Sequence, residues 1–571
     1  MAEKSSKALR SIPAYLFGIL FLSLMAEVSL HAQDLTKEVY VVSSYRPEIA
    51  DADKFSSMPE IADTFTFDTK IDYAVLPSRI KSDYSLRPIK PAKMVGTPLD
   101  KLYKSHLKIG LGNYTTPLVE YSIHNLRSKE YAFGGYIFHK SSYAKLELDG
   151  GAEVPANYSK NKLVLYGKKF YRNFNLLAEV GGRRNSFLAY GLNEDYITVD
   201  TVDGFYVDKK DIRKRYNKIY AKAGIHSTRA DSSRIDYRLF ISGDYFRDRE
   251  KSQEPHVGVD GNVRFPIRTF NLSVDGHLDY YNLKDSVNTD QTLIYTFSPV
   301  FSKRKEQWSV KVGGRLSVLH RDTVNTLYLY PDVDFRFKII NNFLGAFFGV
   351  TGYLEHNSFE SLSLMNPYMI TGQHVRRTNH PYIFYAGIEG YLTRKASYRF
   401  NINYEAISGM AFFVNYQGEV NYWNEFRVVT DNPDRLTLHL EMKWNPLKEL
   451  GLQLKTNYYS YTMYGQQHPW HMPKFDLTFT TRYNFREKLY AELDFITLGK
   501  RYASSIDNNE TLGAVVELDP VYDLNLKLEY KYSDILSFFL HGYNLINQHY
   551  YFWNQYKSQG FNLLGGLSYK F

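Results

Sequence analysis

Apolar and polar residues alternate one for one along much of this chain. In the stretch 436–444, Leu436, Leu438, Leu440, Met442 and Trp444 share one face, and Thr437, His439, Glu441 and Lys443 share the other. Tyr398, Phe400, Ile402 and Tyr404 alternate with Arg399, Asn401, Asn403 and Glu405. Phe475, Leu477, Phe479 and Tyr483 alternate with Asp476, Thr478, Thr480 and Arg482, and Leu524, Leu526, Leu528 and Tyr530 with Asn525, Lys527 and Glu529. Period two is the period of a β-strand. A second face this polar, repeated from strand to strand, does not fit a sandwich core. It predicts the apolar-out, polar-in pattern of an all-β transmembrane antiparallel barrel.

The connections alternate in kind. Asn341-Asn342, Asn484 to Lys488 and Lys531 to Asp534 are tight, whereas 191–215, 356–380, 462–472, 498–511 and 545–559 are long and rich in Gly, Asn, Pro and aromatics. Short turns at one end and long loops at the other fit a barrel with a periplasmic and an extracellular side. Over residues 106–571, roughly 20–24 residues per strand and connection give about 20 strands, in the range of about 18 to 22.

The two ends of the chain add to this picture. Counting back in twos from the terminus gives Phe571, Tyr569, Leu567, Gly565, Leu563 and Phe561, a greasy face closing on aromatics. Leu567, Tyr569 and Phe571 resemble the terminal signal by which the barrel assembly machinery recognises outer-membrane barrels. At the start, Lys4, Lys7 and Arg10 precede an apolar run from Ile12 to Met25 and a small-residue segment ending near Ala32. Residues 1–33 therefore read as a secretory signal peptide. Residues 34–105 carry scattered prolines with little period, acidic in the first half (Glu48, Asp51, Asp53, Glu60) and basic in the second (Arg79, Lys81, Arg87, Lys90). Proline at this density disfavours helix and central strand, so this segment is expected to be an extended arm, periplasmic or reaching into the lumen.

Composition sharpens the membrane assignment. The 571 residues have a mean hydropathy of −0.39 and no apolar run long enough for a helical span after the signal; Phe335 to Leu354 is interrupted by Arg336, Lys338 and Asn341-Asn342. Yet 16% are aromatic, with 50 Tyr and 37 Phe, as interfacial girdles require. The absence of cysteine excludes disulfides, thiolate metal sites and a lipid-modified cysteine. A formal charge of +9 without a dense basic patch makes nucleic acid a poor partner.

Candidate chemistry is sparse. No phosphate loop, Gly-x-Gly-x-x-Gly or Gly-x-Ser-x-Gly motif occurs. His468 and His471 would need two further donors to hold a metal, and the proline between them prevents helical presentation, so 462–472 is read as a polar, aromatic surface loop. Glu441, Asp476, Glu492 and Asp494 could pair as acid and base, but carboxylates lining water account for them equally. No enzyme activity, cofactor or metal is expected. The candidate lumen residues Arg399, Glu405, His439, Glu441, Lys443, Asp476, Arg482, Lys527 and Glu529 carry both signs, so no preference for one ion sign is expected.

The closing strands resemble those of TonB-dependent receptors. The stretch from Ile535 through Asn544-Leu-Ile-Asn547-Gln-His-Tyr550 is similar to the family's penultimate strand and its Asn-Leu-x-Asp/Asn-x-x-Tyr ending. Near the start, Val39, Tyr40, Val41 and Val42 resemble the short apolar box that engages TonB. The segment 34–105 is about half the length of that family's plug domain and lacks its recognisable elements. The whole chain thus resembles plugless, receptor-like barrels of Bacteroidota outer membranes. The resemblance implies an outer-membrane protein in contact with lipid, the assembly machinery and TonB or another envelope protein. It also implies passage of small solutes, the alternative being an accessory subunit of an assembly or secretion complex.

Overall fold

The computed structural model describes residues 101–571 apart from 149, 150, 152, 192–208, 211, 229–234, 286–288, 322, 374–376, 417–424 and 507–510. The segment expected to be a signal peptide, residues 34–100 of the expected arm and the box Val39 to Val42 lie outside the described residues, and Ser105, expected to end the arm, begins the wall.

Twenty-two strands form one sheet. The first eleven are β1 (Ser105–Gly112), β2 (Thr116–His124), β3 (Tyr131–Ser142), β4 (Tyr158–Phe170), β5 (Phe174–Leu188), β6 (Arg213–Ser227), β7 (Asp236–Arg247), β8 (Gln253–Ile267), β9 (Phe270–Lys284), β10 (Thr289–Arg304) and β11 (Trp308–Arg321). The remainder are β12 (Val324–Ile340), β13 (Leu344–Glu355), β14 (Thr378–Thr393), β15 (Ala396–Ser408), β16 (Asp434–Trp444), β17 (Leu450–Thr462), β18 (Phe475–Phe485), β19 (Leu489–Leu498), β20 (Val521–Lys531), β21 (Leu536–Tyr543) and β22 (Asn562–Lys570). Each pairs antiparallel with its neighbour in sequence, and β22 pairs antiparallel with β1, so the sheet closes on itself. Closure leaves no unpaired edge, as a wall in lipid requires. The even count falls at the upper end of the expected range.

The alternation read from the sequence is the alternation of the wall. Leu436, Ile402, Tyr404, Phe479, Tyr483 and Tyr530 are exposed on the outer face, with Leu111, Ile219, Ile241, Leu327, Leu329 and Phe348 continuing the band around the ring. An apolar surface of this extent belongs in hydrocarbon rather than water. No described helix is long and apolar enough to cross a membrane, so strands provide the crossings.

Ser105 and Phe571 exchange backbone hydrogen bonds of 2.8 and 3.0 Å, which places the start and finish of the barrel at one end. That end carries the tight turns, around Asn342, Arg486 and Ser533. The opposite end carries the long loops. Among these is the helix α1 (Phe359–Met365), whose N-cap Ser358 side chain accepts from the Ser361 N–H. Glycines let large rings lie flat against the inner wall. A Cβ on Gly349 would meet the Tyr385 hydroxyl at 2.3 Å, and one on Gly181 would meet the Tyr220 ring at 2.5 Å.

Candidate functional site: the inner face and its loop cap

The long loops are not free surface loops. A hairpin of Met410–Tyr416 and Glu425–Asp431 leaves the wall between β15 and β16. It packs Phe413 and Phe426 against Phe359 and Leu362 of α1, Met369, Tyr556 of the β21–β22 loop, and Tyr216 and Phe246 at the tops of β6 and β7. These residues come from widely separated parts of the ring, so the loops meet across its mouth. Lys214 of β6 bonds Glu425 of the hairpin at 2.5 Å and Glu250 of the β7–β8 loop at 2.9 Å. Tyr216 donates to the Pro367 carbonyl at 2.9 Å. A second cluster joins Phe412, Val414, Trp470 and Ile506.

The loop 462–472, expected at the surface, is part of this cap. Trp470 is 1% exposed and His471 7%. The His471 Nδ1 lies 3.0 Å from the Phe413 carbonyl, and its Nε2 accepts from the Asn554 N–H at 3.2 Å. Both ring nitrogens are thus used by the backbone, which selects the neutral Nδ1–H tautomer. Burial holds its pKa down at about 3. His468 stacks instead on Tyr502 at 4.2 Å. Among the described residues no group of three or more His, Cys, Asp and Glu could hold a metal ion. Arg501, 1% exposed, has its guanidinium turned on backbone carbonyls of Tyr551 (2.8 Å) and Phe552 (2.9 Å). Among the described residues no carboxylate is in ion-pair range, and burial lowers its pKa to about 10. It staples the β21–β22 loop to the rest of the cap.

Below the cap, the candidate lumen residues fall into several hydrogen-bonded groups. Arg399 donates to Glu389 at 2.9 Å, and Glu441 receives Lys443 at 3.0 Å and Gln453 at 2.9 Å. Glu405 is buried between His380 (2.9 Å) and Arg435 (2.9 Å). His439 bonds Asn457 at 2.7 Å, and Asn457 in turn donates to Asp476 at 2.9 Å. Arg482 and Lys527 both reach Glu492 at 2.7 Å, Lys527 also reaches Asp494 at 3.3 Å, and Glu529 accepts from Ser537 at 2.7 Å. At the terminus, Leu567 is in register with Ile109 and Phe538, and Tyr569 stacks on Phe571 at 5.6 Å.

Interleaving of charge, expected from the candidate residues named above, extends to β10–β13, where Arg321 meets Asp290 and Arg336 meets Asp334 and Glu389, but is weaker between β1 and β9. Between β1 and β6 the same face carries Lys108, Lys140, Lys160, Lys162, Arg183, Lys218 and Lys222 against Glu120 and Glu179. Between β7 and β9 it carries Asp244, Glu254, Asp260, Asp275 and Asp279, with Arg238 and Arg264 toward the tight-turn end and His256 held between Asp244 (2.9 Å) and Asp279 (3.0 Å). Periodicity along one strand cannot show this segregation, because it depends on which strands stand side by side. The α1 helix meets the basic arc directly: Glu360 takes Arg183 and Lys218, each at 2.6 Å.

No protein-family model matches the sequence, and no curated protein matches it. Among solved structures, the chain is similar to the FrpB iron transporter from Neisseria meningitidis (F5-1 variant), with a TM-score of 0.64 and 10% identity over 83% of each chain. It is similar to the siderophore receptor PirA from Acinetobacter baumannii, with a TM-score of 0.63 and 9% identity over 83% of this chain and 81% of that one. The copper transporter OprC follows at 0.60 and 9%, over 83% and 82%. At these identities the likeness is one of fold, that of a large antiparallel barrel.

Proposed function

We propose that this chain is an outer-membrane barrel that passes small solutes through its lumen, with the loop cap as the gate on the extracellular side. The observation that carries this reading is a closed wall of 22 strands with an apolar outer face and a charge-lined inner face, its mouth bridged by packed loops. A wall that wide encloses room for water. The proteins of similar fold are described as transporters and receptors of iron, siderophores and copper, and solute passage is taken to this chain on that basis. It acts without catalysis.

Leu567, Tyr569 and Phe571 serve as the signal for the barrel assembly machinery, and Val39 to Val42 offer a strand for TonB to pair with. Replacing Val41 with Pro removes a backbone donor. Loss of uptake at constant barrel abundance, matched by dissipating the proton gradient, would assign TonB coupling. The second reading is an accessory subunit of an assembly or secretion complex; the cap, which bridges the mouth, is what favours it. Planar-bilayer recordings decide between them. Passage predicts conductance that rises when residues 34–100 are removed or the cap is loosened. An accessory role predicts a silent barrel and a co-purifying protein lost with the same deletion.

A further inference from the structure

Three cross-strand pairs of cations follow one another along the basic arc. Lys140 is opposite Lys160, Lys162 is opposite Arg183, and Arg183 is opposite Lys218. Like charges set directly opposite on one face of a sheet are destabilising. At Arg183 and Lys218 the chain supplies its own remedy, the Glu360 carboxylate between them. At Lys140 and Lys160 it does not: among the described residues neither has a carboxylate at ion-pair distance. Their ammonium groups rest near aromatic rings, Lys140 at 5.1 Å from the centre of Tyr543 and Lys160 at 5.9 Å from those of Tyr158 and Phe187.

A cavity of about 400 Å³ opens beside this pair, under the cap, and Lys140, Lys160, Tyr190, Tyr368 and Tyr543 are among its lining. Tyr368 stacks on Tyr556 at 3.7 Å, which fixes it among the cap's packed aromatics. Asp523 lines the same cavity, but its Oδ1 is buried away from the open space and its Oδ2 accepts from the Tyr550 hydroxyl at 3.3 Å. Two cations with no carboxylate at ion-pair distance among the described residues and several aromatic faces describe the complement of a specific ligand. We propose that this cavity binds a multiply charged organic anion on a ring-bearing frame. Its negative groups take the place at Lys140 and Lys160 that Glu360 takes at Arg183 and Lys218. The aromatic faces hold the frame by stacking.

This assignment rests on the reading of the barrel as a solute passage, naming the class of solute. The test uses the full chain in detergent and three probes: pyranine, a hydroxylated ring trisulfonate; inositol hexakisphosphate, charged without aromatic rings; and phenyl glucoside, a ring without charge. Pyranine is expected to bind most tightly, phenyl glucoside least. Lys140→Gln with Lys160→Gln should weaken pyranine on the order of tenfold or more. Lys168→Gln, on the same face toward the tight-turn end, should leave it unchanged. The double variant is also expected to unfold later than the parent without probe, since it removes a repulsion, so loss of binding cannot be put down to misfolding. Unchanged pyranine affinity in the double variant, or equal affinity for phenyl glucoside, overturns the assignment. Bilayer conductance keeps the two readings apart: conductance without pyranine binding sinks this site alone, and binding without any passage sinks the transport reading.

Discussion

Two arcs of one wall deal with charge in opposite ways. From β14 to β20 every candidate cation meets a carboxylate on its own or a neighbouring strand, as Arg399 meets Glu389 and Lys527 meets Glu492 and Asp494. From β3 to β6 cations face cations: Arg183 and Lys218 are met by Glu360 of α1, and Lys218 also by Asp244 of β7 at 3.3 Å, whereas among the described residues Lys140 and Lys160 have no carboxylate at ion-pair distance. The first arc is electrostatically complete when the wall forms. The second is complete only when something enters the lumen, whether the α1 helix or a ligand. A wall that is self-neutralised has little to offer a charged solute; a wall left wanting has a reason to hold one.

The contrast is broken most forcefully by Glu360→Ala. Arg183 and Lys218, both partly buried, would lose their shared carboxylate, at a cost of roughly 3 kcal/mol. Urea unfolding should register that loss, and bilayer conductance should rise as α1 leaves the wall. Unaltered stability and conductance would mean that the helix does not depend on the basic arc.

Acid should act next, and on the capped arc first. His471 titrates near 3 when folded against about 6.5 when unfolded, so the unfolded chain takes up the proton first. Its contribution is complete above pH 6.5 and drains away as pH falls toward 3. Asp248, in the β7–β8 loop, has the opposite slope: burial raises it to about 7, so its contribution falls as pH rises from about 4 to 7. The difference between the parent and His471→Gln isolates the histidine. Protease nicking of cap loops from pH 7 down to pH 4 should increase steeply in the parent and less steeply in the variant.

Lys160→Glu would convert one arc into the other. A carboxylate opposite Lys140 should stabilise the barrel by about 0.5–1 kcal/mol while abolishing pyranine binding. The smallest effect belongs to Arg399→Ala. Its side chain is 49% exposed and its partner Glu389 34%, so water screens the pair, and a loss under about 1 kcal/mol is expected, with no change in the cap.

The strands and the kinds of connection were legible because they are written in residues two apart. Leu436 to Trp444 declares its outer face without reference to any other segment, and β16 spans Asp434–Trp444. The tight turns around Asn342 and Arg486 announce themselves by composition in the same local way. The site was less legible because its partners are remote. Arg183 and Glu360 are 177 positions apart, and even Lys140 and Lys160 become neighbours only through the β3–β4 register. His471 misled for a related reason. Its loop is polar and aromatic, as surface loops are, and only the hairpin folded over it makes Trp470 a core residue. The mixed charge read from β15 to β20 does not extend to the basic arc of β3 to β6.

The seam where the ring meets itself is also one of its narrow welds. Seven register pairs join β1 to β22, with Gly110 opposite Gly566, whereas fifteen join β5 to β6. Phe571 bonds Ser105, the first residue of the wall, so the cylinder closes only when its two most distant strands meet. Non-local closure of that kind is slow, and an unfinished wall exposes two raw edges to any other strand nearby. Amide exchange along Ser105–Gly112 and Asn562–Lys570 should be faster than along the fifteen-pair β5–β6 junction, and uniform exchange around the ring would show the weld to be as strong as the plate.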